Sequence, residues 1–385
     1  MGSPVVITRK TRLPHIPELD GIRGLAALAV LFHHVCYVGI HPQAWGSEVH
    51  VFYNLARFGN NGVDIFFVLS GFLITSLLIQ DRTEPAYYHN FYWKRVLRIL
   101  PLYIACLVGI YFLVPHSHAY VLLSALFIVN FAQVFHVVSN GPFWTLAIEE
   151  QFYLIWPTVV RRRPVAQLLR WSVGIGLCAV VLRLVAACVG HHNNNFTFVH
   201  CDGLAAGAFI ACLYSQRGFK GAPLLQTKWI AAAFAAGLLL FPLTFLPYSS
   251  KRELAFIAAG YQTGISLLAG AIIAFIIVHT GAPYLAVFRS RLLAFFGLIS
   301  YAVYMTHIYV LMTYDHFLGP LRPGDTGGYM LRLFTVLAGT VLLSVISYFV
   351  LERPALSLRK YVLVRSPQQL PVNEQLRGET AQVGS

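Results

Sequence analysis

The chain has 385 residues, 57% of them hydrophobic and 11% charged, with a mean hydropathy of +0.65 and a formal net charge of +13. A soluble domain carries about 25% charged residues, so the composition excludes a soluble globular enzyme and describes a polytopic membrane protein. The basic residues cluster between apolar runs, which reads as the positive-inside bias and contact with anionic lipid, not as a nucleic-acid surface.

In chain order, residues 1–20 carry Arg9, Lys10, Arg12 and Pro14 without an apolar core, so no cleavable signal peptide is expected and the segment reads as cytoplasmic. Apolar stretches long enough to cross a bilayer, roughly 17–25 residues, fall near 22–40, 63–80, 97–115, 119–137, 168–190, 200–215, 229–248, 254–279, 292–314 and 329–351. An eleventh, 142–160, holds the adjacent carboxylates Glu149 and Glu150. With the first basic cluster placed inside, Lys94, Arg95, Arg98, Arg161–Arg163, Arg289, Arg291, Arg359 and Lys360 also fall inside, and only Lys251 and Arg252 fit poorly. This parity requires residues 119–160 to cross once. The acidic stretch near 142–158 is the expected irregular or re-entrant element, because carboxylates at membrane depth need protein or a wet cavity around them. The expected fold is therefore all-α, a polytopic bundle of about ten transmembrane helices with both termini cytoplasmic. Its integral-membrane domain covers 21–355, followed by a basic and then disordered cytoplasmic tail over 356–385. The six cysteines form no C-x-x-C pair, so neither a disulfide framework nor a zinc site is expected.

Three places put ionisable groups where hydrocarbon is expected. In GIRGLAALAVLFHHVC (21–36), Arg23 and His34 are eleven positions apart. On a helix they lie within about 20° of one face and about 16 Å apart along the axis, while His33 lies about 80° away and reads as structural. Arg95 and Arg98 share a face at the start of the third span. They either snorkel as lipid anchors or join Arg23 in a cationic mouth for phosphates, whose oxygens a planar guanidinium binds in pairs. Glu149 and Glu150 point about 100° apart on a helix, so one of them faces a cavity. Asp64 and Asp202, near span ends, read as helix caps or ion-pair partners, and His307 as a buried structural or supporting imidazole.

The blocks LDGIRGLAALAVLFHH, GVDIFFVLSGFLI, the R-x-x-R of Arg95 and Arg98, WTLAIEEQFYLIWP, SYAVYMTHIYV and YFVLERPAL around Glu352 occur in this order from residue 19 to about 355. In them the sequence resembles the membrane-bound acyltransferase-3 family, which includes bacterial O-acetyltransferases of envelope polysaccharides and antibiotic O-acyltransferases. The resemblance implies transfer of an acyl group, usually acetyl from acetyl-CoA, to a hydroxyl of a sugar or related acceptor. It implicates Arg23, His34, Arg95 and Arg98 in that activity. Some relatives add a C-terminal extracytoplasmic esterase-like domain; this sequence ends shortly after its last span, so the membrane part is expected to handle the acceptor.

The expected mechanism docks the phosphates of acyl-CoA on Arg95, Arg98 and Arg23 and delivers the thioester near His34. An imidazole titrates near neutrality, so His34 suits the general base on the acceptor hydroxyl. Glu149 or Glu150 orients the imidazole or holds the acceptor, and direct attack needs neither a metal nor a bound cofactor beyond the donor. The alternative is a covalent route through Ser70 or an acylated imidazole. The expected partners are acyl-CoA, a hydroxyl-bearing carbohydrate, glycolipid or macrolide, and the bilayer, with no nucleic acid; the expected site is the bacterial inner membrane. The rival class is a transporter in which intramembrane Asp, Glu and His form a substrate path. The absence of an evident inverted repeat and the one-sided arginine cluster argue against it.

Overall fold

The computed structural model describes residues 14–38, 40, 47–138, 141–189, 195–221, 227–319, 321–322 and 324–364, with backbone alone at 47–48 and 217–221. The basic cluster at 9–12, the histidines at 191–192 and the tail from 365 onward lie outside the described residues. Ten long helices make an all-α bundle, with no strand among the described residues. They are α1 (Pro17–Cys36), α2 (Gly62–Gln80), α3 (Tyr87–Leu113), α4 (Phe143–Arg162), α5 (Val165–Cys188), α6 (Asp202–Gly221), α7 (Thr227–Leu240), α8 (Lys251–Val278), α9 (Arg291–Leu318) and α10 (Thr326–Ser347). Eight segments among the described residues are both long and apolar enough to cross a membrane. Helices α4 and α6 are outside that set but have 20 residues each, and at about 1.5 Å per residue each matches a hydrocarbon core of about 30 Å.

The irregular element lies earlier than the acidic stretch at 142–158 where it was expected. Glu149 and Glu150 sit in the unbroken helix α4, whereas the apolar run 119–137 forms a short helix, His118–Ala125, and a 3-10 turn, Val129–Phe135. Left-handed backbone at His116 (φ 58°), Phe127 (φ 53°) and His136 (φ 53°) interrupts that run, since a helix of L-residues cannot continue through such a conformation. One full-length helix between 118 and 162 is what the loop charges required. The carboxylates need no broken backbone: the side chain of Glu149 reaches the polar cavity from within the helix.

Helix α3 begins at Tyr87, ten residues before the apolar run that marks it in the sequence. Its first turns are held by burial: Tyr87 is 1% and Phe91 3% exposed, and the Tyr87 hydroxyl donates to the Pro157 carbonyl at 2.9 Å. Arg95 and Arg98 thus lie about 12 and 16 Å along the helix, both half-buried.

Helices α1 and α9 pack backbone against backbone. A Cβ on Gly24 would stand 2.3 Å from the Leu293 carbonyl oxygen, and one on Gly297 2.2 Å from that of Asp20. Glycine at both points permits the close crossing typical of membrane helices. The first turn of α1 is tied down at Glu18, which accepts hydrogen bonds from the Thr280 hydroxyl (2.9 Å), the Gly281 amide (2.8 Å) and Arg289 (2.7 Å). A buried polar knot joins α2, α5, α6 and α8. In it Arg183 pairs with Asp202 at 2.8 Å, and Gln262 donates to Asp64 at 2.6 Å. After α10 the chain passes through a π-turn, Tyr348–Glu352, and two short helices, Arg353–Ser357 and Arg359–Val362, that pack against α3.

Candidate active site

A cavity of about 160 Å³ lies between α1, α2, α3, α4 and α9. Along α2 its wall runs from Val63 to Ile74, eleven residues or about 16 Å of helix. Arg23, Arg95 and Arg98 line one end; Val63, Phe66, Thr145 and Tyr304 line the other; Glu149 lies between.

At the arginine end, Arg23 is held by Asp20 one turn earlier, with Nη1 to Oδ1 at 3.3 Å. The Arg95 guanidinium lies over the rings of Tyr153 and Phe91, at 5.4 and 5.8 Å from their centroids. Such contacts favour a cation without neutralising it. Arg95 and Arg98 belong to no ion pair among the described residues, and Arg98 repels both Arg23 and Arg95. Arg95 and Arg98, crowded in a half-buried site without an ion-pair partner of their own, make a site for an anion, and guanidinium forks suit phosphate oxygens.

In the middle, the Ser70 hydroxyl donates to Glu149 Oε1 at 2.7 Å and the Tyr153 hydroxyl to Oε2 at 3.0 Å. Arg23 and Arg95 face the same carboxylate. Glu150 does not line the cavity, and its Oε1 is buried without a hydrogen-bond partner. Of the acidic pair, Glu149 is the one that faces inward.

At the far end, the Thr145 hydroxyl donates its only proton to the Pro142 carbonyl at 2.9 Å, so it accepts from Tyr304 at 2.8 Å. This bond joins α4 to α9 at the cavity's inner limit. Val30, which packs on Val63, is four residues before His34, and Tyr304 is three before His307. The cavity therefore stops about 5 Å, one helical turn, short of the two imidazoles.

The partners of those imidazoles fix where their protons sit. His34 Nδ1 lies 2.9 Å from the Val30 carbonyl oxygen and 3.3 Å from His307 Nε2. A carbonyl only accepts, so Nδ1 of His34 carries hydrogen. His307 Nδ1 faces the carbonyls of Val303 (3.1 Å) and Tyr304 (2.8 Å), so it too is protonated there, and its Nε2 accepts from His34. The neutral His34 thus keeps the lone pair of Nε2 free of any partner among the described residues. His33 is turned away, with Nδ1 donating to the Ala56 carbonyl at 3.0 Å and the ring stacked on Tyr37 at 4.9 Å.

The structure brings Arg23, Arg95, Arg98 and Glu149 together around one space, sets His34 one turn beyond it, and leaves Glu150 outside its lining. The group that orients His34 is His307, not a glutamate. Tyr153, four residues from Glu149, is legible from helical spacing. The contact of His34 with His307 joins residues 273 apart in sequence and has no local signal.

A family model described as an acyltransferase domain matches residues 16–349. A candidate O-acetyltransferase of Staphylococcus aureus (strain COL) is 27% identical over 332 residues, covering 79% of this chain and 52% of the relative. The peptidoglycan O-acetyltransferase of Listeria monocytogenes (strain EGD-e) is 26% identical over 378 residues, covering 90% of this chain and 56% of its own length. A candidate peptidoglycan O-acetyltransferase of Bacillus subtilis (strain 168) is 35% identical over 168 residues, covering 37% of this chain and 23% of the relative. The chain spans about half the length of the first of these relatives. No solved structure matches. With a single family model covering nearly the whole described bundle, this chain belongs to the membrane-bound acyltransferase-3 family.

Proposed function

We propose that the chain is an integral-membrane O-acetyltransferase that moves acetyl from acetyl-CoA to a hydroxyl of a carbohydrate or glycolipid of the cell envelope. The observation that carries the reading is the cavity itself. It leads from a group of arginines, of which Arg95 and Arg98 have no ion-pair partner among the described residues, to within one helical turn of an imidazole nitrogen with a free lone pair. The name of the Listeria relative supports an envelope glycan as the acceptor class. The positive-inside pattern supports a cytoplasmic arginine end, in a bacterial inner membrane.

In this reading Arg23, Arg95 and Arg98 grip the donor's phosphates, and its extended arm lies along α2 past Ser70 and Glu149. Glu149 keeps the guanidinium groups in place at the donor end. The thioester then stands at the Thr145–Tyr304 bond, beside His34. The acceptor hydroxyl approaches from the opposite side. Its proton passes to His34 Nε2, its oxygen bonds to the thioester carbon, the carbon–sulfur bond breaks, and the thiolate takes up a proton as free CoA. The developing imidazolium keeps its Nδ1–H on Val30 and His307 throughout.

The test uses the full chain in lipid nanodiscs with acetyl-labelled acetyl-CoA and fractionated envelope glycans. The expected result is an alkali-labile acetyl ester on one glycan fraction with equimolar release of CoA thiol. Absence of thiol release with every acceptor fraction, together with solute uptake into sealed vesicles that depends on the protein, would favour the transporter class instead.

A further inference from the structure

The segment after α10 packs against α3, the helix that carries Arg95 and Arg98 into the cavity wall. Its last described residue is clipped to α3 in both directions: the Val364 amide donates to Asn90 Oδ1 at 2.9 Å, and Asn90 Nδ2 donates to the Val364 carbonyl at 2.8 Å. Asn90 precedes Arg95 and Arg98 by five and eight residues on the same helix, about 7 and 12 Å along its axis. The clip seats the short helix Arg359–Val362 beside them. There the Arg359 guanidinium feels those of Arg98 and Arg95 as like charges. Among the described residues Arg359 has no ion-pair partner, and the Nε atoms of Arg359 and Arg95 are both buried without an acceptor. The nearest acid on this segment, Glu352, faces Arg98 yet stays beyond ion-pair distance, and its buried Oε1 has no hydrogen-bond partner.

Two helices thus bring together three guanidinium groups, those of Arg95, Arg98 and Arg359, none of which belongs to an ion pair among the described residues. Cations placed this way repel unless a multiply charged anion sits among them, and the unpartnered Nε donors give that anion hydrogen bonds as well as charge. We propose that Arg359 is a further ligand of the donor's phosphate groups, carried on a C-terminal strap that Asn90 holds across the mouth of the cavity. This rests on the donor-site reading of Arg95 and Arg98. The strap gives the site a grip on two sides of a phosphate, which α3 alone, with Arg95 and Arg98 on one face, does not supply. A phosphate could come from the donor nucleotide or from an anionic lipid headgroup; the position at the mouth of an internal cavity favours the nucleotide.

The experiment measures KM for acetyl-CoA and binding of CoA to the full chain in phosphatidylcholine nanodiscs. The variants are Arg359→Gln, Asn90→Ala and, as a control, the exposed Lys360→Gln; all are first checked for thermal unfolding like that of the parent. Loss of a charge-assisted bond predicts that Arg359→Gln raises KM and the CoA Kd about tenfold or more, with kcat unchanged, that Asn90→Ala gives a smaller rise, and that Lys360→Gln gives none. Acetyl-dephospho-CoA, which lacks the 3′-phosphate, separates the contacts: if Arg359 holds that group, its replacement costs nothing further with this donor. An unchanged KM and Kd in Arg359→Gln, while Arg95→Gln raises both, would overturn the proposal and leave the donor site standing. If Arg95→Gln and Arg98→Gln also leave them unchanged, the donor-site reading itself fails. Repetition in discs containing phosphatidylglycerol tests the lipid source. An Arg359 effect confined to those discs would assign the strap to headgroups and overturn the nucleotide assignment.

Discussion

The two adjacent histidines allow a sharp test, because one helix presents them to different surroundings. Replacing His34 with Asn keeps a polar head near the Val30 carbonyl, 2.9 Å from Nδ1 in the parent, and removes the Nε2 lone pair that has no partner among the described residues. A positioned general base contributes 10²–10⁴-fold in rate, or about 3–5.5 kcal/mol of barrier, so kcat is expected to fall by that factor with KM for acetyl-CoA unchanged. His33→Asn removes the bond to the Ala56 carbonyl (3.0 Å) and the stack on Tyr37 (4.9 Å). That costs about 1 kcal/mol of stability and leaves kcat within about threefold, since about 0.6 kcal/mol is a factor near three. His307→Gln removes one of the two acceptors on His34 Nδ1, the one at 3.3 Å. With the Val30 carbonyl still in place, an intermediate loss of about five- to tenfold in kcat is expected, equivalent to about 1 kcal/mol. The assay is initial rate of CoA thiol release in nanodiscs, with purified acceptor glycan saturating. Equal losses at positions 33 and 34, or a loss at 33 alone, would refute the reasoning.

Three further outcomes follow from the same geometry. Arg95→Gln and Arg98→Gln should each raise KM for acetyl-CoA about tenfold or more, as expected for loss of a charge-assisted contact to phosphate, with kcat nearly unchanged in steady-state kinetics. Ser70→Ala should leave kcat within about threefold, a barrier change of about 0.6 kcal/mol, because direct attack does not use its hydroxyl; intact-mass measurement of the parent after mixing with acetyl-CoA alone should show no added acetyl group. Gly297→Val would drive a side chain into a carbonyl 2.2 Å away and separate α1 from α9. A destabilisation of about 2–3 kcal/mol is expected, read as a lower melting temperature, with activity lost as His34 and His307 part.

Much of the site was legible where chemistry and helical period coincide on one element. Eleven residues bring Arg23 and His34 to one face, three bring Arg95 and Arg98 together, and the 100° step separates Glu149 from Glu150; each follows from the geometry of a single helix. Legibility failed where neighbours decide. The apolar run 119–137 has the composition of a span, yet left-handed residues at 116, 127 and 136 break it into short pieces. Conversely, α3 continues back to Tyr87 because bundle contacts bury a segment too polar to register as a span. Asp64 and Asp202 were readable as cap or partner, but the arginine that pairs with Asp202 lies on a different helix.

Sequence alone determined that the chain is an all-α membrane bundle, and that arginines and an imidazole stand at different heights along its first helices. Those are consequences of transfer free energy and of a fixed rise per residue, both local properties. Only the tertiary structure decided which carboxylate faces the cavity, that His307 accepts from the Nδ1–H of His34, and that the C-terminal segment returns to α3 through Asn90. Each depends on side chains far apart in the chain meeting at hydrogen-bond distance, which the backbone crossing at Gly24 and Gly297 and the packing of the other helices bring about.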